Sequence, residues 1–134
     1  MPNLINDTTT KVLEAALDGL ASRQQIVGHN IANAETPGYQ ALAVTFDRQL
    51  REAIGQESKF KMAQTHTGHL ASPATREQGP NVTPRQTSSM RLDGNNVDID
   101  LEMSQLAETS IQYQSLTQLV SRKLALLKAI AMGR

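Results

Sequence analysis

Apolar residues recur in alternating steps of four and three at both ends of this chain, and the pattern is absent from its middle. Near the N-terminus the series is Leu13, Leu17, Leu20, Gln24, Val27, Ile31 and Ala34, with Gln24 its polar member. Near the C-terminus it is Ile99, Met103, Leu106, Ser110, Tyr113, Thr117, Val120, Leu124, Leu127 and Ala131. This is heptad spacing, the narrow seam of a helix that packs on another helix. It predicts one helix over about Thr8–Asn33 and a second from about Asp98 to the C-terminus. The expected fold class is all-α: long N- and C-terminal helices packing as a coiled-coil-like pair, joined by a largely irregular middle loop. Residues 1–35 and 98–134 are read as one discontinuous core. Residues 36–54 are read as a turn and short helical segment, and residues 55–97 as a flexible loop.

Composition agrees with helix-on-helix packing. Of 134 residues, 3% are aromatic: two Phe, two Tyr and no Trp. Rings usually dominate core burial, so the core must come from Leu, Ile, Val, Met and Ala, which suits helices better than a β-sandwich. The formal net charge is zero, which gives no electrostatic footprint for nucleic acid. The absence of cysteine excludes disulfides, thiolate catalysis and Cys-based zinc sites. The N-terminal stretch lacks a basic region, and Glu14 and Asp18 interrupt any apolar core, so no secretory signal is expected.

From Gly55 to Gly94 the chain is rich in Thr, Ser, Gln, Gly and Pro, and Pro73, Pro80 and Pro84 break any helix. Short extended pieces are expected around Lys59–Ala63 and Val82–Thr83. So long an irregular segment is unusual in a compact domain, and two helices alone bury too little to be firmly stable. The chain therefore reads as a subunit that becomes ordered in an assembly.

The C-terminal helix has its acids first, Asp98, Asp100 and Glu102, and its bases last, Arg122, Lys123, Lys128 and Arg134. That polarity complements the helix macrodipole. A turn at Asp93-Gly94 leads through Asn95, Asn96 and Val97 to an N-cap at Asp98 or Asp100. Leu116, Leu119, Leu126 and Ile130 add a second apolar rib, which one helical partner cannot cover together with the first. Either the middle of the chain folds over it or other molecules do.

Catalysis finds no support. His66 and His69 stand three apart, but a metal needs at least a third ligand, and the remaining histidine, His29, falls on the first helix. The acidic stretch from Asp93 lacks the calcium-loop pattern, because Gly94 follows the first Asp directly. There is no nucleophile motif and no Gly-rich phosphate loop. No cofactor and no small-molecule substrate are expected.

The stretch "NIANAETPGYQ" ends the first helix. Pro37 lacks a backbone N–H and pushes Thr36 out of the helical region. Thr36-Pro37-Gly38-Tyr39 fits a type II turn, with Gly38 where φ is positive. Asn30 and Asn33 can bond carbonyls or neighbouring backbone at the helix end. Ala32 and Ala34 leave room for close approach, and Tyr39 supplies an aromatic anchor. A plain helix stop would need none of these extra residues.

Asn30, Ile31, Ala32, Asn33, Ala34, then Thr36, Pro37, Gly38 and Tyr39 resemble the signature of the axial proteins of the bacterial flagellum, the rod and hook family. Glu35 departs mildly, since Asn or Asp is more usual there. The short length and "GNNVDIDLEMSQLAE" resemble a proximal rod subunit within that family. The resemblance implies terminal helices that pack with those of neighbouring copies into a helical tube, transmitting torque and continuing the export channel. It implies as partners other copies of the chain, neighbouring rod proteins, the rod–MS-ring adapter, the MS ring and the export gate. It also implies periplasmic placement after export through the flagellar type III apparatus without signal cleavage. Phe46 and Leu50 resemble a segment used at the export gate; a short helical turn packing the two together is the alternative. The other functional class open to such a sequence is a helical adaptor or chaperone binding one partner through its C-terminal helix.

Overall fold

The computed structural model describes residues 7–55, 79–85 and 91–133. Its elements in chain order are α1 (Thr8–Ala32), β1 (Leu42–Thr45), α2 (Asp47–Ile54), β2 (Asn81–Pro84) and α3 (Ile99–Ala131). Both long helices fall where the heptads put them, and they pack on each other. Asn30 meets Glu102, Gln24 meets Ser110 and Asp7 meets Lys123. Numbers rise along one helix as they fall along the other, so the pair is antiparallel.

Each helix start has its own chemistry. At α3, Asp98 is the N-cap, and its carboxylate accepts from the Asp100 and Leu101 amides at 3.0 and 3.2 Å. At α1, Asp7 holds the cap position without a side-chain cap bond, and pairs with Lys123 at 3.5 Å. A hydrogen bond with Thr9, and to a smaller extent the Lys123 charge, hold its carboxyl below the ordinary aspartate range against partial desolvation.

On α1 the seam follows the heptad closely. Leu20 and Val27 are buried, while Leu13, Leu17 and Ile31 are half-buried. The polar Gln24 is accommodated because its Nε2 donates to Ser110 Oγ across the seam at 3.1 Å. On α3 the inner face departs from the expected one. It runs through Glu102, Thr109, Leu116 and Lys123, with Leu106, Tyr113, Val120 and Leu127 half-buried beside it. Met103, Leu119, Leu124 and Ile130, expected to pack, are exposed within the single chain. The reason is polar. Partners on α1 and beside β2 draw Glu102 inward, and that rotation carries Ile99 and Met103 outward.

The segment 36–54, expected as a turn and short helix, also contains a strand. β1 pairs antiparallel with β2, with Leu42 opposite Pro84 and Thr45 opposite Asn81. The β1 run Leu42-Ala43-Val44-Thr45 does not alternate apolar with polar residues, so it carries no period of two. The expected extended piece at Val82–Thr83 lies within β2, and that at Lys59–Ala63 lies outside the described residues. Pro84 can occupy β2 because it sits at the end of a strand in a two-stranded sheet, where the missing donor costs little. α2 is the short helix and ends at Gly55 with φ 78°. Its lead-in residue Phe46 packs closely on α1: a Cβ at Gly19 would overlap the ring. The Arg23 guanidinium covers the ring 4.7 Å from its centroid.

Candidate functional site

Two features stand out in the folded chain: a polar knot at the closed end of the hairpin, and an uncovered apolar surface at its open end. The knot is built on Asn30, which is fully buried on the last turns of α1. Its Oδ1 accepts from the Leu42 amide at 2.9 Å and from the Tyr39 hydroxyl at 3.0 Å. Its Nδ2 donates to the Leu42 carbonyl at 2.8 Å and to Glu102 Oε2 at 3.1 Å. One amide side chain thus pairs with β1 as a neighbouring strand would and also reaches α3. All its donors and acceptors are used, which is what full burial of a polar group requires.

Glu102 is likewise fully enclosed. Arg85, immediately after β2, donates to Glu102 Oε1 at 2.6 Å and to Gln105 Oε1 at 3.1 Å. The burial of a carboxylate is tolerable only with such a charge-assisted partner. Glu102 was expected merely as a first-turn acid complementing the helix dipole. It also ties α3 to α1 and to the returning strand. Arg85 carries no sequence signal for this role, because a lone arginine after a proline has no pattern that marks it.

The two motifs on either side of the long middle interlock. Asn95 is fully buried, and its Nδ2 donates to the carbonyls of Asn33, Ala34 and Thr36 at 3.0, 3.1 and 2.9 Å. These carbonyls belong to the corner just after α1, so Asn95 braces that corner from a distant part of the chain. Its Oδ1 accepts from the Val97 amide at 2.7 Å. Asn96 Oδ1 accepts from the Ala41 amide at 2.6 Å, and its Nδ2 donates to Gln40 Oε1 and to the Arg85 carbonyl. The Gly38 amide donates to the Asp93 carbonyl at 2.9 Å. Ala34, Ala41 and Val97 form the small apolar kernel beneath, with Tyr39 packed against it.

The turn itself has Tyr39 N donating to the Thr36 carbonyl at 3.2 Å and Gly38 at φ 72°. Gly94, at φ 79°, lies so near that a Cβ there would touch the Gly38 Cα at 3.6 Å. Asn33 Nδ2 donates back to the His29 carbonyl at 2.8 Å. The Tyr39 hydroxyl also meets His29 Nδ1 at 2.9 Å. Burial, and secondarily the Glu102 charge, push the Tyr39 hydroxyl above its ordinary value. Asn30, Asn33, Ala34, Tyr39, Asn95 and Asn96 therefore all have partners inside their own chain. Ala32, Glu35, Thr36 and Pro37 remain at the surface, as does Asp100.

The open end is different. An apolar groove of about 380 Å³ runs between α1 and α3, lined by Leu13, Leu17, Val120, Leu124 and Leu127, with Thr10, Glu14, Asp18 and Lys123 at its edges. Beside it, Leu119, Leu126, Ile130 and Met132 are exposed by 51 to 68%. Phe46 and Leu50 are both half-buried. Phe46 faces α1, where it lines a second apolar depression with Leu20, Ile111 and Leu116. Among the described residues no group of three or more His, Asp or Glu could hold a metal ion. His66 and His69 lie outside them.

Comparison with known proteins places this geometry. A family model described as flagella basal body rod protein matches residues 11–40, which span α1 and the turn after it. Over the longer range, the chain is 36% identical to the flagellar basal body rod protein FlgB of Escherichia coli (strain K12), covering 81% of each. It is 32% identical to FlgB of Bacillus subtilis (strain 168), over 93% of this chain and 94% of that one. It is 33% identical to FlgB of Aeromonas hydrophila, over 92% and 93%. The chain belongs to the FlgB family of flagellar basal body rod proteins.

Proposed function

We propose that this chain is a non-enzymatic structural subunit of the proximal rod of the flagellar basal body. It assembles through its terminal helices into a helical tube that transmits torque and continues the export channel. The observation that carries this reading is the apolar surface of α3 that α1 leaves uncovered. Leu119, Leu124, Leu126, Ile130 and Met132 are all more than half exposed, on the end of the longest helix. Such a surface is costly in an isolated chain and marks an interaction site. A closed, fully bonded knot at the other end keeps the two helices in register while that surface is presented.

Further parts of the reading rest on the family resemblance. The partners are other copies of the chain, neighbouring rod proteins, the adapter to the MS ring, the ring itself and the export gate. The chain reaches the periplasmic side of the inner membrane through the flagellar type III apparatus without signal cleavage. Phe46 and Leu50 serve at the gate while the chain is unfolded, since Phe46 packs on Gly19 once it folds.

The test is a gene deletion complemented with wild-type protein or Leu124→Asp, scored by motility and by electron micrographs of basal bodies. Leu124 is 56% exposed, so the free chain should keep its helical circular dichroism. A carboxylate desolvated at an assembled interface should abolish swimming. Normal motility with Leu124→Asp would overturn the assigned face, and intact basal bodies in the deletion strain would overturn the rod role itself.

A further inference from the structure

The open-end groove and the outer stripe of α3 match each other. Leu119, Leu126 and Ile130 are spaced seven and four apart, which puts them on one stripe of the helix. Arg122, three after Leu119 and four before Leu126, flanks that stripe, and it is exposed with no ion pair among the described residues. The stripe covers about 16 Å at 1.5 Å per residue. The groove offers an apolar floor of Leu13, Leu17, Val120, Leu124 and Leu127. Its α1 wall carries Glu14 and Asp18, four apart, exposed, and likewise without an ion pair. From Thr10 to Asp18 this wall is about 12 Å long. Lys123, on the facing wall, is occupied by Asp7 at 3.5 Å. The unanswered charge of the groove is therefore acidic, and the unanswered charge of the stripe is basic.

We infer that the groove of one copy receives the outer α3 stripe of a second copy, with Arg122 of the second set against Glu14 and Asp18 of the first. The inference rests on the subunit reading above and gives it a polarity. Groove and stripe are different surfaces, so the contact is heterologous and leaves a free groove at one end and a free stripe at the other. The ion pairs lie at the rim, where they fix register and exclude wrong partners more than they add affinity. The apolar floor supplies the attraction.

The chain has no cysteine, which makes crosslinking direct. Glu14→Cys and Arg122→Cys combined in one full-length chain, expressed in the deletion strain and oxidised, should give a ladder of dimers, trimers and longer species. Cells co-expressing the two single variants should stop at dimers. A motile double variant yielding only monomer would overturn the contact while leaving the rod reading intact. A second pair of variants guards against a loss of folding. Arg122→Glu should cut swimming at least tenfold. Adding Glu14→Arg and Asp18→Arg to it should restore most of that loss, whereas unchanged swimming with Arg122→Glu alone would also refute the pairing. If deletion of the gene leaves basal bodies intact, the failure belongs to the rod reading and not to this contact.

Discussion

Replacing Arg85 with Met tests how the knot is held. The change removes the guanidinium that faces Glu102 at 2.6 Å, and it leaves a carboxylate with no solvent exposure. Breaking a buried ion pair from one side costs about 3–5 kcal/mol. Arg85 keeps 17% of its side-chain surface in water, so solvent can partly replace it, and about 2–4 kcal/mol is the expected loss. Against a typical domain stability of about 5–15 kcal/mol, that is a large share. Glu102→Leu alone strands a mostly covered guanidinium, which keeps its bond to Gln105, and one Asn30 donor, for about 1–3 kcal/mol. The double variant buries no lone charge. It still loses the Asn30 bond to Glu102, and should sit about 1–3 kcal/mol below wild type. Urea unfolding of the four proteins, followed by far-ultraviolet circular dichroism, gives the cycle. The coupling between the two positions should reach about 2 kcal/mol. Additivity within about 0.5 kcal/mol would refute the claim that the pair acts as one buried unit.

The remaining predictions concern the close approaches and the tyrosine. Gly19→Ala drives a methyl into the Phe46 ring atoms and should lower stability by about 1–3 kcal/mol in urea unfolding, with Gly28→Ala on the same helix as a harmless control because nothing crowds it. Gly38→Val strains the backbone at φ 72° without any clash, for about 1–2 kcal/mol, and Gly38→Asn should recover part of it. Tyr39 holds its proton more tightly in the folded chain than in the unfolded one. Its contribution is therefore complete below the ordinary tyrosine value of about 10 and is lost as pH rises toward the elevated folded value. In a Tyr113→Phe background, phenolate absorbance should appear above that value in the folded protein and fall back to it in urea; coincident titrations would contradict the burial of the hydroxyl.

The helical hairpin was legible because heptads report burial directly. Leu20 and Val27 are enclosed where the spacing puts them, and Asp98 caps where a short acid precedes the apolar run. The type II geometry at Gly38 followed from Pro37 and glycine, which leave the backbone few alternatives. Periodicity could not show which stripe of α3 turns inward. Ile99 and Met103 looked like core because they are apolar, yet the polar Glu102 takes the inner place. A buried charge is decided by a partner, and Arg85 is 17 residues away across the start of α3.

Local chemistry in the sequence therefore determined what each segment is. It set two long helices, a helix stop with a tight turn, and a chain with more apolar surface than two helices can cover. The tertiary structure decided what the conspicuous asparagines touch. Asn30 completes a strand edge, and Asn95 braces the corner after α1, 59 to 62 residues earlier in the chain. Hydrogen bonds of that kind depend on distance and direction in space, and residue order along the chain carries neither.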